Sequence, residues 1–157
     1  MRAPTLYFAY GSNLSESGMR LRCPSARPDG PARLARWRLT FRGVANIEPA
    51  PGRTVYGALW WLNGADIASL DSYEGAPTFY RQRTVEVETD DGLRSAMTYV
   101  MPRPTYVGVP SDWYFERIHE GYERWDLPVP GLTIEDVLAG KAIWSDGRAR
   151  LRPEAER

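Results

Sequence analysis

Two places in the chain carry residue types that can bind or transform a charged small molecule. The first spans residues 7–14, where an apolar, strand-like run ends in the turn Gly11-Ser12-Asn13. Main-chain N–H groups at such a turn before a helix carry partial positive charge and can bind a carboxylate or phosphate. Gly11 lets a ligand approach closely because it has no side chain. The same residues also fit an ordinary turn with Asn13 as a helix cap, and the pattern leaves both readings open.

The second place is Glu74, at the end of a predicted helix. Ile67, Leu70 and Glu74 have the spacing i, i+3, i+7, so they share one helix face. That face is apolar, which predicts that the carboxylate points inward, at the helix end where negative charge is disfavoured. Both effects raise the pKa of a carboxyl group, as a general acid–base requires. The alternative is that Glu74 turns outward into water beside Gly75.

Other reactive side chains give weaker signals. The phenols of Tyr10, Tyr80 and Tyr114 can reach a pocket, although aromatic residues more often belong to the core. The single histidine, His119, has no obvious partner and is expected at the surface. Cys23, the single cysteine, is far from His119 in sequence, so a Cys–His nucleophile pair is only a minor alternative.

The composition narrows the functional classes. The chain has 157 residues, with 20 basic and 20 acidic side chains. Zero net charge argues against a nucleic-acid partner. An arginine-rich strand and many aromatic residues nevertheless keep open the alternative of a barrel that binds single-stranded nucleic acid. One cysteine and one histidine cannot form a His/Cys metal site. A carboxylate-only site for magnesium or calcium stays open, but no clustered Asp motif supports one, and we expect no metal or cofactor. Lacking a recognisable signal peptide or long apolar run, the chain is expected to be cytoplasmic, with no membrane contact.

The elements that must position these residues follow from the apolar patterns. They predict strands at residues 5–10, 32–41, 55–62, 80–88 and 95–101, and helices at 13–22, 64–73, 111–124 and 133–140. Gly75 is expected just past the second helix, and Ser111 is expected to cap the third. Without regular βαβ alternation, the chain reads as one α+β domain over residues 1–145, with a small curled sheet or barrel. Residues 146–157 are expected to form a charged, frayed tail.

An ordered set of motifs resembles the γ-glutamylcyclotransferase-like family. It comprises Tyr7-Phe8-Ala9-Tyr10-Gly11-Ser12-Asn13-Leu14; Met19, Arg22 and Pro24; Gly43-Val44-Ala45-Asn46-Ile47; Val55-Tyr56-Gly57-Ala58-Leu59; Leu70-Asp71-Ser72-Tyr73-Glu74-Gly75; and Tyr80, Pro110, Tyr114, Ile118 and Gly121. The resemblance implies a small mixed β-barrel with surrounding short helices. It also implies a substrate-binding loop made by Tyr7, Phe8, Ala9, Tyr10, Gly11 and Ser12, with Asn13 holding the loop. Glu74 matches the family's acid–base glutamate, and Tyr80 and Tyr114 match pocket tyrosines.

The activity that this resemblance implies is an internal cyclisation. The α-amine of a γ-glutamyl group attacks its own γ-carbonyl and releases 5-oxoproline, without metal or cofactor. The implied partner is therefore a small γ-glutamyl compound. Glutathione-specific relatives carry a tryptophan soon after the turn, whereas this chain has Asn13-Leu14-Ser15, which argues against glutathione. Residues 103–109 are expected to border the site. A non-catalytic module for an acidic metabolite or γ-glutamyl peptide is the alternative, and the oligomeric state is not indicated.

Overall fold

The structure is a computed structural model that describes residues 3–103, 110–128, 142–145 and 148–151. Within these ranges the strands are β1 (Thr5–Ala9), β2 (Arg27–Arg42), β3 (Val44–Leu62), β4 (Arg81–Thr89), β5 (Gly92–Val100), β6 (Ala142–Ser145) and β7 (Arg148–Leu151). The α-helices are α1 (Glu16–Arg22), α2 (Gly64–Glu74) and α3 (Asp112–Arg124), and a 3-10 turn covers Ser12–Leu14.

Five strands close into a barrel in the order β1-β3-β2-β4-β5. Neighbouring strands are antiparallel except at the closure, where β1 pairs with β5 in parallel, with Tyr7 opposite Met97. The ends of β1 and β5 are thereby adjacent, and β1 leads directly into the 3-10 turn. The mixed barrel with helices confirms the predicted α+β fold class.

The hairpin of β2 and β3 is much longer than the sequence predicted. Its tip is at Gly43, which has φ 81°, and Arg42 pairs with Val44 beside it. The register shifts between Ala35 and Trp37, so the hairpin continues across an irregularity. The sequence predicted strands only at residues 32–41 and 55–62, because the prolines and glycines between these two segments are typical of loops. The continuous hairpin brings Ala45, close to the tip, into the candidate site.

Two glycines allow main-chain segments to approach each other closely. A Cβ atom on Gly57 of β3 would lie 2.3 Å from the carbonyl oxygen of Ala9 and 2.7 Å from the Phe8 ring. A Cβ atom on Gly121 of α3 would lie 2.5 Å from Cβ of Leu14. Because neither position has a side chain, β1 can pack directly against β3, and α3 can pack directly against the 3-10 turn. The indole N–H of Trp125 also donates to the Leu14 carbonyl at 3.0 Å, which fixes α3 against this turn.

The predictions for α2 and α3 are confirmed, whereas the predicted cap of α1 needs correction. Gly75 follows α2 with φ 65°, and the Ser111 side chain accepts from the N–H of Tyr114, as predicted. The cap of α1 is Ser15, which accepts from Gly18, rather than Asn13. Asn13 precedes the helix within the 3-10 turn, and its side chain is occupied elsewhere.

The C-terminal tail also differs from the prediction in part. Residues 148–151 were expected to fray, but they form β7, which pairs antiparallel with β6. In the sequence these two segments are separated by Asp146-Gly147, a dipeptide that is a common hairpin signal. The predicted helix at 133–140 and loop residues 104–109 lie outside the described residues.

We expect Gly57→Ala to destabilise the protein by about 2–3 kcal/mol, because the new methyl group would push β1 away from β3. Urea unfolding measures this change. Gly64→Ala is the matched control: its Cβ meets nothing within 4 Å at the start of α2, so stability should stay the same or rise slightly. Equal stabilities of the two variants would contradict the close approach of β1 and β3.

Candidate active site

A small cavity of about 30 Å³ opens where the end of β1 meets α2, α3 and the hairpin tip. The residues around it come from almost every part of the barrel. They are Tyr7, Tyr10, Gly11, Ser12, Asn13, Ala45, Glu74, Tyr80, Tyr99 and Tyr114. The turn and the acidic residue singled out in the sequence therefore border the same cavity.

Asn13 connects the turn to Glu74. Its side chain is buried, and its Nδ2 donates to the hydroxyl of Tyr7 at 2.9 Å and to Oε1 of Glu74 at 3.1 Å. Its Oδ1 accepts from Nη2 of Arg22 at 2.5 Å. Both polar atoms of the Asn13 side chain are thus used, and their three hydrogen bonds form a continuous chain from α1 through the turn to α2.

The carboxyl group of Glu74 has an unusual protonation equilibrium. Burial raises its pKa from 4.5 to about 7, against the lowering effects of the Arg22 charge and the Asn13 hydrogen bond. Glu74 is also the last residue of α2, where the partial negative charge of the main-chain carbonyl groups disfavours an ionised carboxylate. A carboxyl group with a pKa near neutrality can both accept and donate a proton under ordinary conditions.

The tyrosine hydroxyls are held by main-chain groups. The Tyr80 hydroxyl donates to the carbonyl of Ala45 at 2.5 Å, and the Tyr114 hydroxyl accepts from the N–H of the same residue at 3.0 Å. The Tyr114 hydroxyl also hydrogen-bonds the Ser12 side chain. Burial raises the pKa of both phenols well above 10, so they remain neutral.

A second tyrosine pair supports the wall formed by β5. The Tyr10 hydroxyl donates to the carbonyl of Tyr99 at 2.7 Å, and the Tyr99 hydroxyl donates to Asp71 of α2 at 2.6 Å. The rings of Tyr7 and Tyr99 meet edge to face with centroids 5.9 Å apart. These contacts hold α2, and with it Glu74, at a fixed distance from β1 and β5.

The turn offers main-chain donors to a ligand. The N–H groups of Gly11, Ser12 and Asn13 have no acceptor among the residues that the structure describes. A Cβ atom on Gly11 would lie 3.3 Å from Cβ of Ala45 and 3.6 Å from the Tyr114 hydroxyl, so only glycine keeps this side of the cavity open. The arrangement suits an anionic group of modest size.

Most predicted site residues meet at the cavity, and two do not. Phe8 and Ala9 are fully buried in the barrel core and are not among the residues that line the cavity, so their part in substrate binding stays a prediction. Neighbouring strand residues face opposite ways, which sends the Phe8 ring towards Gly57 instead.

The remaining sequence candidates lie away from the cavity. His119 is on α3 with Nδ1 3.3 Å from Glu123, and Cys23 is buried with its pKa raised to about 11 by burial. A thiol with that pKa stays protonated at neutral pH and is a poor nucleophile. Arg103 is the only described member of the loop expected to border the site. Among the described residues, no group of three His, Cys, Asp or Glu side chains is arranged to hold a metal. None of the helices in the described ranges is long and apolar enough to cross a bilayer.

Sequence reasoning assigned no role to Arg22, Ala45 or Tyr99. Arg22 and Ala45 stand in the motifs that carried the family resemblance, which was the only signal for them. Tyr99 gave none, because its place at the cavity depends on the parallel pairing of β1 with β5.

Comparison with known proteins gives a consistent family relationship. The sequence profile of the family described as "Gamma-glutamyl cyclotransferase, AIG2-like" matches residues 7–127. Proteins named gamma-glutamylcyclotransferase from Bos taurus and Homo sapiens are each 34% identical in an alignment of 127 residues, and the match covers 72% of this chain. The chain spans 66% of the length of these two relatives.

Solved structures show the same fold. A structure titled "Gamma-glutamyl cyclotransferase" superposes with a TM-score of 0.74 at 30% identity, covering 98% of this chain and 96% of its own. A crystal structure of an uncharacterized Homo sapiens protein superposes with a TM-score of 0.75 at 31% identity, covering 99% and 97%. Both extend over the barrel and all three described helices, so the predicted family and fold are confirmed.

The raised pKa of Glu74 should make stability depend on pH. The folded protein holds this proton up to about pH 7 and the unfolded chain only to about 4.5. The stability that the protonated carboxyl group allows is therefore fully present below pH 4.5, and it is lost as the pH rises from 4.5 to 7. Glu74→Gln removes this loss, so its stability relative to the native protein should grow by roughly 1–3 kcal/mol between pH 4.5 and pH 8.

Urea unfolding at several pH values measures this difference. Glu86→Gln, at an exposed position on β4, controls for the general effect of removing one carboxylate. A stability difference for Glu74→Gln that is the same at both ends of the pH range would contradict the raised pKa.

Proposed function

This chain belongs to the gamma-glutamyl cyclotransferase, AIG2-like family, and from that premise we propose that it is an enzyme acting on a γ-glutamyl amino acid or amine. The products are 5-oxoproline and the free amine. Glu74 serves as both acid and base, and the turn Gly11-Ser12-Asn13 binds the substrate carboxylate. The proposal covers the reaction class and leaves the identity of the leaving amine open.

The observation that carries this proposal is the shared cavity of Glu74 and the turn. A carboxyl group with a pKa of about 7 borders the same small cavity as Gly11, Ser12 and Asn13, the turn whose main-chain N–H groups can bind an anion. A γ-glutamyl α-carbon bears both a carboxylate and an ammonium group, which match these two features. Binding the carboxylate at the turn brings the ammonium group towards Glu74.

The reaction needs little besides folding the substrate and moving two protons from its α-nitrogen to the leaving nitrogen. In the cavity the γ-glutamyl chain must curl so that its α-nitrogen lies against its own γ-carbonyl carbon. Holding reacting groups together in this way can contribute on the order of 7–11 kcal/mol to lowering a barrier. The neutral phenol of Tyr114 borders the cavity and can donate a hydrogen bond to the substrate.

The proton steps balance with Glu74 alone. Its carboxylate takes a proton from the α-ammonium group, and the freed amine attacks the γ-carbonyl carbon to close a five-membered ring. Protonated Glu74 gives this proton to the leaving nitrogen as the bond from that carbon to the leaving nitrogen breaks. The ring nitrogen then gives up its second proton to Glu74, which passes it to the released amine, so 5-oxoproline forms as a neutral lactam, the amine leaves as an ammonium ion and the carboxylate is restored. A pKa near 7 suits a group that alternates between these two states.

A non-catalytic module that holds an acidic metabolite is the competing reading. Such a module would gain nothing from a second negative charge beside its carboxylate site, and burying the carboxyl group carries a cost. The position of Glu74 in the cavity therefore favours the enzyme. Release of 5-oxoproline from any γ-glutamyl substrate separates the two hypotheses directly.

We expect Glu74→Gln to lower kcat by about 100-fold or more, because the amide keeps the shape of the side chain and cannot carry the proton. Released 5-oxoproline is measured for a panel of γ-glutamyl amino acids, γ-glutamyl amines and glutathione. Glu86→Gln is the matched control and should retain native turnover. Turnover by Glu74→Gln within a few-fold of the native rate would exclude this role for the carboxylate.

We expect Gly11→Val to raise KM by at least tenfold, because the added side chain fills the space beside Ala45 and Tyr114 where the carboxylate would enter. Binding of 5-oxoproline by calorimetry gives a second readout that does not require turnover. Unchanged affinity in a folded Gly11→Val protein would count against carboxylate binding at the turn.

A further inference from the structure

Arg22 lies outside the cavity lining, yet it makes three contacts that hold its guanidinium group in one place. Its Nη2 donates to Oδ1 of Asn13, and its Cζ lies 4.1 Å from the ring centroid of Tyr73. On its other side is Gly18, where a Cβ atom would lie 2.7 Å from Nη2. The main-chain carbonyl of Arg22 accepts from the Ser69 hydroxyl at 2.6 Å, which ties α1 to α2.

This placement determines which way the Asn13 amide faces. With Oδ1 turned to the guanidinium group, both protons of Nδ2 point to Tyr7 and Glu74. The opposite orientation would set Oδ1 against the Glu74 carboxylate and the NH₂ group against a cation, and both contacts would be repulsive. A positive charge at Arg22 therefore selects one of the two amide orientations.

The amide in turn distinguishes the two oxygens of Glu74. Oε1 accepts from Asn13, whereas Oε2 has no donor among the residues that the structure describes. The bond to Oε1 limits rotation of the carboxyl group, so the same oxygen stays available to the cavity. A catalytic carboxylate has to present one oxygen in a reproducible direction for efficient proton transfer.

We propose that Arg22 is a positioning residue that acts through Asn13, fixing the Glu74 carboxylate so that Oε2 is the atom that exchanges the proton with the substrate. This inference rests on the proposed function for its catalytic meaning. Its structural part, the control of Glu74 by Arg22, does not depend on turnover.

The charges around Glu74 make this control measurable. Besides Arg22 from α1, the titratable groups coupled to Glu74 are phenols whose own pKa its negative charge raises. They are Tyr7 and Tyr10 at β1, Tyr80 before β4, Tyr99 on β5 and Tyr114 on α3. Burial raises the pKa of each phenol, so all of them are neutral near pH 7. Arg22 is thus the charged group, among the described residues, that keeps the pKa of Glu74 from rising further.

The experiment is a titration of Glu74 in Arg22→Met and Arg22→Lys, followed by the carboxyl ¹³C shift, which Glu74→Gln assigns. Arg22→Met should raise the pKa of Glu74 by about one unit, and Arg22→Lys should raise it less because a charged donor remains. Arg20→Met, at an exposed position on α1, is the matched control and should leave this pKa unchanged. An unchanged pKa in folded Arg22→Met would overturn the proposal.

Gly18→Ala provides a test that leaves Arg22 in the chain. The added methyl group displaces the guanidinium group while alanine favours the helix, so the pKa of Glu74 should rise without loss of stability. If Arg22→Met does not fold, this variant decides the outcome, and an unchanged pKa here also overturns the proposal.

The pH dependence of kcat/KM separates this inference from the proposed function. With a substrate from the panel, the acidic limb of the profile should move to higher pH in Arg22→Met, with a loss of about fivefold or more at pH 7. Above pH 9 the rate should stay below the native rate, because Asn13 no longer fixes the ionised carboxylate. A loss with an unmoved acidic limb would indicate a merely structural role for Arg22, and full recovery above pH 9 would indicate a charge effect without positioning; either result contradicts the proposal. If no γ-glutamyl compound is turned over, the proposed function fails, and the shift of the Glu74 pKa alone still supports or rejects the control by Arg22.

Discussion

The hydrogen bond from Asn13 to Glu74 joins the two halves of the site, and the rest of the structure is arranged so that it forms. A carboxyl group at the end of a helix and away from water is unfavourable when charged. Asn13 and Arg22 offset part of this cost and leave the pKa of Glu74 near 7 rather than higher. The carboxyl group therefore stays buried while its pKa stays close to neutral pH.

The barrel supplies the geometry for that bond. Parallel closure of β1 on β5 places the 3-10 turn beside the end of β5, and the bond from Tyr99 to Asp71 attaches α2 at the same point. The close approaches at Gly57 and Gly121 seat β1 and α3 without intervening side chains. A small change in any of these contacts would move Asn13 away from Glu74, even though Gly57 and Gly121 do not line the cavity.

The sequence predicted most of the parts and few of the connections between them. The barrel strands, the caps at Gly75 and Ser111, and the inward carboxylate of Glu74 all follow from local spacing and the apolar pattern. Asn13 was misassigned as a cap because its partner, Glu74, is 61 positions away in sequence. Local rules correctly indicated a cap near this point, and Ser15 fills that role.

The same limit explains why Arg22, Tyr99 and the long β2–β3 hairpin were not assigned. Each depends on contacts between distant segments, whereas proline and glycine near the hairpin are read locally as loop signals. Phe8 and Ala9 were included through the motif as a whole. Strand alternation turns the Phe8 ring away from the side of Tyr7, whereas Ala9 is buried in the core.

A crystal structure with bound 5-oxoproline tests the central claim most directly. We expect its carboxylate to lie against the N–H groups of Gly11 and Ser12, with its ring nitrogen within hydrogen-bond distance of Oε2 of Glu74. Product bound at another surface, or a Glu74 side chain turned into solvent in the complex, would contradict a shared site for the turn and the carboxyl group.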